Sequence, residues 1–230
     1  MEARNALVKQ TVLSSVMVGV MMGVFYASAG RRDIPRSWFL FIVVFIYLVA
    51  SNLALHRYNP ELLIQRLKIK RKGSKTWDEV LMRVSNLTAL LLLPLVAGLD
   101  IGRYNWTSLG WPYAVLGLLL LVVSSVLINW SMIVNPYFET TVRIQEDRDH
   151  RVITTGPYAL VRHPGYLSGI LWLASIPLIL GSLYSFAPFT LYMILMSLRT
   201  YMEDKTLHEE LPGYKEYAEK VRYRLFPWVW

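Results

Sequence analysis

Arg199 and Glu203 stand four residues apart, the spacing that puts two side chains on one face of a helix. Upstream, Arg162-His163-Pro164-Gly165-Tyr166 gathers a guanidinium, an imidazole and a phenol just before a long apolar run. A proline after histidine disfavours helical dihedrals at the histidine, so the His163 ring is expected to project from a turn at the mouth of the next helix. Charges at the edge of segments apolar enough to lie in lipid are costly, which makes these groups functional candidates. Each also has a plainer reading. Arg199 and Glu203 would form an interfacial ion pair with both heads in water. His163 would be a satisfied polar group at a helix start, and His150 lies in a frankly polar loop. Glu203, Asp204, Glu209 and Glu210 can bind a hard cation, but more simply decorate a solvated helix.

Other chemistries are excluded by what is missing. There is no cysteine, which removes disulfides, thiolate metal sites and cysteine nucleophiles. His56, His150, His163 and His208 are scattered and show no H-E-x-x-H spacing, so no metal site is expected. No Walker loop and no G-x-G-x-x-G occurs, so a Rossmann cofactor domain has no support.

The groups must be held by membrane helices. Of 230 residues, 54% are hydrophobic and only 17% charged, with a mean hydropathy of +0.36. That is too apolar for an ordinary soluble domain and predicts an all-α polytopic membrane protein. A span needs about 20 mainly apolar residues. Candidates are 11–29, 37–55, 80–101, 111–134, 166–183 and 186–201, six in all, the last two joined by Tyr184-Ser185 as a tight hairpin. Pro94 and Pro177 lie inside spans as candidate kinks. The net charge of +8 reflects basic loops facing anionic lipid, not nucleic acid. With six spans, all of the 24 Lys and Arg fall on one side except Arg31, Arg32, Arg36 and Arg103. Both termini and the candidate site are therefore expected on the cytoplasmic face of an inner membrane or endomembrane. The first apolar run lacks a small-residue cleavage pattern and reads as a retained span.

Three segments outside the spans matter. Asn59-Pro60-Glu61 has the chemistry of a helix start. The helix that follows, from Glu61 to about Lys70, is expected to lie on the membrane surface. Thr76-Trp77-Asp78-Glu79 resembles a capping box opening the third span. Asn135 to Arg162 is polar, with turns at Asn135-Pro136 and Gly156-Pro157. In the tail, Leu207, Leu211, Tyr214, Ala218 and Val221 recur at helical spacing, and Pro212-Gly213 divides them between two helices. Folded back, this amphipathic tail would cover a cavity. Gly19-x-x-x-Gly23, Gly98-x-x-x-Gly102 and Gly165-x-x-x-Gly169 suit close helix packing and are compatible with a homodimer.

The ordered set H-R-V-I-T-T-G-P-Y (150–158), R-H-P-G-Y (162–166), Arg199-x-x-x-Glu203 and G-Y-K-E-Y-A-E-K-V-R-Y-R-L-F-P (213–227) resembles the isoprenylcysteine carboxyl methyltransferase family, and more loosely the phospholipid methyltransferases. The likeness covers about the C-terminal 90 residues. It implies an S-adenosylmethionine-dependent membrane methyltransferase. Its cofactor would lie in a cytoplasmic pocket under the tail, and its lipid-like or lipidated substrate would arrive between helices from the bilayer. Carried over by motif position, the cofactor would be held by Gln145, His150, Arg151, Val152, Ile153, Tyr158, His163, Pro164, Gly165, Tyr166 and Glu203. Arg199 would face the substrate, and Arg199, Glu203 and His163 would be the catalytic set. The family often has two adjacent glutamates where this chain has Glu203-Asp204. One membrane domain is expected, with residues 1–134 as a four-helix scaffold and 135–230 as the cofactor-binding part.

The acceptor atom stays open at this stage. A carboxylate is ionised at neutral pH and needs no base, with Arg199 orienting it through two hydrogen bonds. An amine or thiol would call on His163 or Glu203. Two other functions compete: a membrane reductase using NADPH, whose architecture in the sterol reductases is similar, and a small transporter. Transport is disfavoured because ionisable groups cluster on one side and are nearly absent from the middles of spans one, two and four.

Overall fold

The computed structural model describes residues 1–68 and 73–230. Eight longer helices and two short 3-10 turns, Glu146–Arg148 and Gly156–Ala159, run along the described chain, and no strand occurs among the described residues. The eight longer helices are α1 (Glu2–Ala29), α2 (Pro35–Tyr58), α3 (Pro60–Gln65), α4 (Thr76–Tyr104), α5 (Trp111–Val134), α6 (Pro164–Leu180), α7 (Phe186–Glu210) and α8 (Tyr214–Lys220). Four of them, α1, α2, α4 and α5, are long and apolar enough to cross a membrane. The apolar α6 is shorter, at 17 residues. Along the four long helices one face stays uncovered and apolar, for example Val12, Val16, Ile42, Ile46, Leu119 and Val126. In a bilayer such a face meets lipid, not water.

The core lies between the long helices. Phe25 of α1, Leu40 and Phe41 of α2, Leu93 and Ala97 of α4, Leu121 of α5 and Leu173 and Ile176 of α6 form one buried cluster. Glycines set the closest approach. A Cβ on Gly98 would come within 2.0 Å of Ser28 Oγ, and one on Gly102 within 2.4 Å of Ala29 Cβ. That pair therefore serves helix packing, whereas Gly19 and Gly23 meet nothing within 4 Å.

Several boundaries differ from the pattern-based expectation. The third span is one helix interrupted twice by π-helical turns, Thr88–Leu92 and Gly98–Tyr104, on either side of Pro94. The Leu93 N–H reaches the Thr88 carbonyl five residues back, which absorbs the register change next to a residue without an N–H. The capping box does not form: Lys75 is the N-cap, without a side-chain cap bond. Asp78 is drawn instead into a buried contact with α7. Asn59 does cap, its Oδ1 accepting from the Leu62 N–H. Over its described length the helix it opens turns its apolar face to protein, with Leu62 and Leu63 fully buried against Ala6, Leu55 and Met132. Its expected far end, 69–72, lies outside the described residues.

The α6–α7 hairpin turns through Gly181, at φ 85°, and is wider than two residues. Asp100, fully buried, holds it. Its carboxylate accepts from Ser182 Oγ at 2.6 Å, Thr107 Oγ1 at 2.7 Å and the Thr107 N–H at 2.9 Å. This fixes one end of the bundle. The opposite end carries the polar segment 135–163 and the tail.

Candidate active site

Helix α7 organises that end. Tyr192, Met196, Arg199, Glu203 and Leu207 follow one face of it and line a cavity of about 320 Å³, within the usual range of ligand pockets. Arg199 and Glu203 do not pair with each other. Arg199 is 5% exposed; its Nε donates to Asp78 Oδ1 at 2.5 Å and its Nη2 to the Thr140 carbonyl at 3.0 Å. Its guanidinium lies 5.0 Å over the Tyr166 ring, and the Tyr166 hydroxyl donates to Glu203. The other oxygen of Asp78 accepts from the Val142 N–H at 2.8 Å. One buried carboxylate thus ties α4, the polar segment and α7 to a single guanidinium.

The adjacent acid, Asp204, has a different task. It is 1% exposed and collects Arg162 through Nε (2.8 Å) and Nη2 (3.0 Å), His163 Nε2 (3.1 Å), the Tyr214 hydroxyl (2.9 Å) and Arg224 Nε (2.8 Å). The backbone repeats the connection: the Arg162 and His163 N–H groups donate to the Tyr223 and Arg224 carbonyls. The turn before α6 and the tail after α8 are therefore locked together. Tyr217 completes the closure by donating to the Tyr158 carbonyl at 2.7 Å.

The polar segment forms the remaining wall. Arg143 is clamped by Glu139 (2.9 Å) and Asp147 (2.6 Å). The Gln145 side chain, 2% exposed, donates to the Tyr137 carbonyl and accepts from Arg148, so its amide builds the loop. His150 Nδ1 accepts from the Gln145 N–H at 3.4 Å, which leaves the ring proton on Nε2, and its ring lies 4.5 Å from that of Tyr137. Burial first, and then the nearby Arg143 charge, push its pKa down to about 4. Such a depressed histidine contributes stability that is complete above the free value of about 6.5 and is lost as pH falls through about 4. The expected result is an imidazole NMR titration with its midpoint near 4; a midpoint above 6 would contradict the buried placement. Burial likewise raises the Tyr158 phenol, whose hydroxyl accepts from Asn135 Nδ2 at 2.9 Å.

Every sequence-predicted site residue except one lines this cavity. Gln145, His150, Arg151, Val152, Ile153, Tyr158, His163, Gly165, Tyr166, Arg199 and Glu203 converge on it, while Pro164 is buried at the start of α6. His163 is 5% exposed with Nε2 already directed at Asp204, a geometry that suits holding the turn more than accepting a substrate proton. Asp78, Asp204, Tyr214 and Tyr217 lie outside the set of site residues that the sequence suggests: Asp78 carries a capping signal, Asp204 that of a hard-cation ligand or a solvated acid, and Tyr214 that of the apolar stripe of a tail folded back over a cavity. Among the described residues, no group of three or more His, Cys, Asp or Glu side chains is arranged to hold a metal ion.

Residues 115–209, which hold much of this machinery, match the model of the isoprenylcysteine carboxyl methyltransferase family. Two relatives from rice, Oryza sativa subspecies indica and japonica, are each named a probable protein-S-isoprenylcysteine O-methyltransferase. Each is 30% identical over 141 residues, covering 60% of this chain and 68% of the relative. The chain belongs to the isoprenylcysteine carboxyl methyltransferase family. It is accordingly a membrane methyltransferase. The fold agrees over nearly the whole length: the solved eukaryotic intramembrane Ras methyltransferase of this family superposes with a TM-score of 0.55, at 16% identity, covering 99% of this chain and 98% of that one.

Proposed function

We propose that this methyltransferase uses S-adenosylmethionine and methylates the carboxylate of a lipid-like or prenylcysteine-like amphiphile that enters from the bilayer. The observation that carries the reading is the single cavity in which His150 to Ile153, Tyr158, His163, Tyr166 and Glu203 meet Arg199. The donor set suits the cofactor. Glu203 offers a carboxylate to an ammonium, and Tyr158 and Tyr166 offer aromatic faces to a sulfonium or an adenine. S-adenosylmethionine, when bound, supplies an electrophilic methyl group. The chain's own part is alignment, which provides much of the rate in an in-line displacement.

Arg199 is the acceptor-side residue. Asp78 and Thr140 take two of its N–H groups and leave Nη1 free for an incoming carboxylate. An ionised acceptor needs no base, which accords with His163 being engaged by Asp204. We place residues 1–230 in one membrane domain of six spans, with the tail and the cavity on the cytoplasmic side, in line with the distribution of Lys and Arg.

The test is cofactor binding by isothermal titration in detergent. Glu203→Ala should lose most of the affinity, at least about tenfold for a charge-assisted contact. Wild-type affinity in that variant removes Glu203 from the site. Competition by NADPH against S-adenosylmethionine would favour the reductase reading instead.

A further inference from the structure

The cavity extends past Arg199, away from the polar segment. There it is lined by Met82 and Ser85 of α4, Ile128 of α5, Gly169 of α6 and Tyr192 and Met196 of α7. Asp78, Met82 and Ser85 recur at the spacing of one helix face. This α4 wall lies outside residues 115–209, the segment shared with the family model.

Ser85 stands apart from the chain's other buried helical hydroxyls. Thr88, Ser124, Ser131 and Thr200 each donate to a carbonyl of their own helix, three or four residues back, at 2.7–2.9 Å. Ser85 is 1% exposed, lines the cavity, and its Oγ has no hydrogen-bond partner among the described residues. A buried hydroxyl without a partner is costly, so a ligand that satisfies it gains binding free energy.

We propose that Ser85 is an acceptor-binding residue and that it donates a hydrogen bond to an oxygen carried on the apolar chain of the methyl acceptor. Ser85 follows Asp78 by seven residues, about 10 Å along the helix axis. The acceptor is thus an amphiphile with two polar points: the carboxylate at Arg199, and a carbonyl, ether or hydroxyl oxygen roughly 10 Å deeper. A plain hydrocarbon tail, a prenyl chain included, would leave Ser85 unsatisfied, which narrows the proposed acceptor to its lipid-like form. This rests on the proposed carboxylate acceptor, and the test separates the two.

The experiment uses the full chain in detergent, saturated with S-adenosylhomocysteine, and titrates dodecanoate and 8-oxododecanoate by calorimetry. Wild type should bind the ketone about fivefold to tenfold tighter, the range of one neutral hydrogen bond. In Ser85→Ala the preference should fall to about one, with dodecanoate affinity unchanged, and Ser85→Thr, which keeps the hydroxyl, should retain it. Equal affinities in wild type, as a resident water on Ser85 would give, overturn the proposal. So does a preference that survives Ser85→Ala, or failure of both chains to bind. The preceding titration with S-adenosylhomocysteine alone reports on the cofactor reading and on folding of the variants. Its failure condemns that reading separately.

Discussion

Asp204→Asn should release the tail and abolish cofactor binding. Asparagine keeps the shape of the side chain but removes the one negative charge shared by Arg162 and Arg224, the former 5% exposed at its side chain. Breaking a buried pair from one side typically costs about 3–5 kcal/mol, because the remaining charge is stranded in a poor solvent for it. Here two guanidinium groups and the His163 ring lose the same partner. Hydrogen exchange should report the loss locally: amides of 214–224, together with Arg162 and His163, should lose protection, while those of α1 and α2 keep theirs. S-adenosylmethionine affinity should fall with them, since the tail and the turn before α6 close the cavity jointly. Unchanged exchange in the tail would show that Tyr214, Tyr217 and the backbone pairs hold it without the acid.

Asp78→Asn should slow turnover about a hundredfold, the scale on which a misplaced positioning contact acts, and leave cofactor affinity near wild type. Asparagine can still accept from the Val142 N–H, so the α4–loop connection survives. What it cannot do is hold the Arg199 guanidinium as a charge partner. Arg199 would keep the Thr140 carbonyl and the Tyr166 face but lose the contact that sets its direction. Single-turnover kinetics with saturating cofactor would detect a lower rate without weaker cofactor binding. Wild-type turnover would show that Tyr166 and Thr140 suffice to aim Arg199.

The helical architecture was legible because lipid imposes a crude filter: long apolar runs and one-sided lysine and arginine can be read without knowing any contact. The site was legible in part. His150, Tyr158, His163, Tyr166, Arg199 and Glu203 announce themselves as polar groups in or beside apolar segments, and they do share a cavity. Their partners did not announce themselves. Arg199 and Glu203 share a helix face, and helical spacing alone suggests an ion pair; only the position of α4 reveals that Asp78 takes the arginine. Asp78 sits 121 residues from Arg199 in sequence, so no local pattern connects them. Asp204 shows the same blindness. Its neighbours in sequence point to a solvated helix end, and its burial arises because the tail returns over it. The third span was placed correctly but not its winding, since hydropathy is insensitive to whether a backbone bond spans four residues or five.

That winding has a bearing on comparison among relatives. Each wide turn in α4 lodges one extra residue, so a relative wound uniformly would align with this helix only through a gap at Thr88–Leu92 and another at Gly98–Tyr104. A wheel drawn at 100° per residue from Asp78 onward would then mis-assign which side of the helix faces α1 beyond Pro94. Gly98 and Gly102 would be drawn on the side of Val80 and Val84, toward lipid, although both are buried against α1.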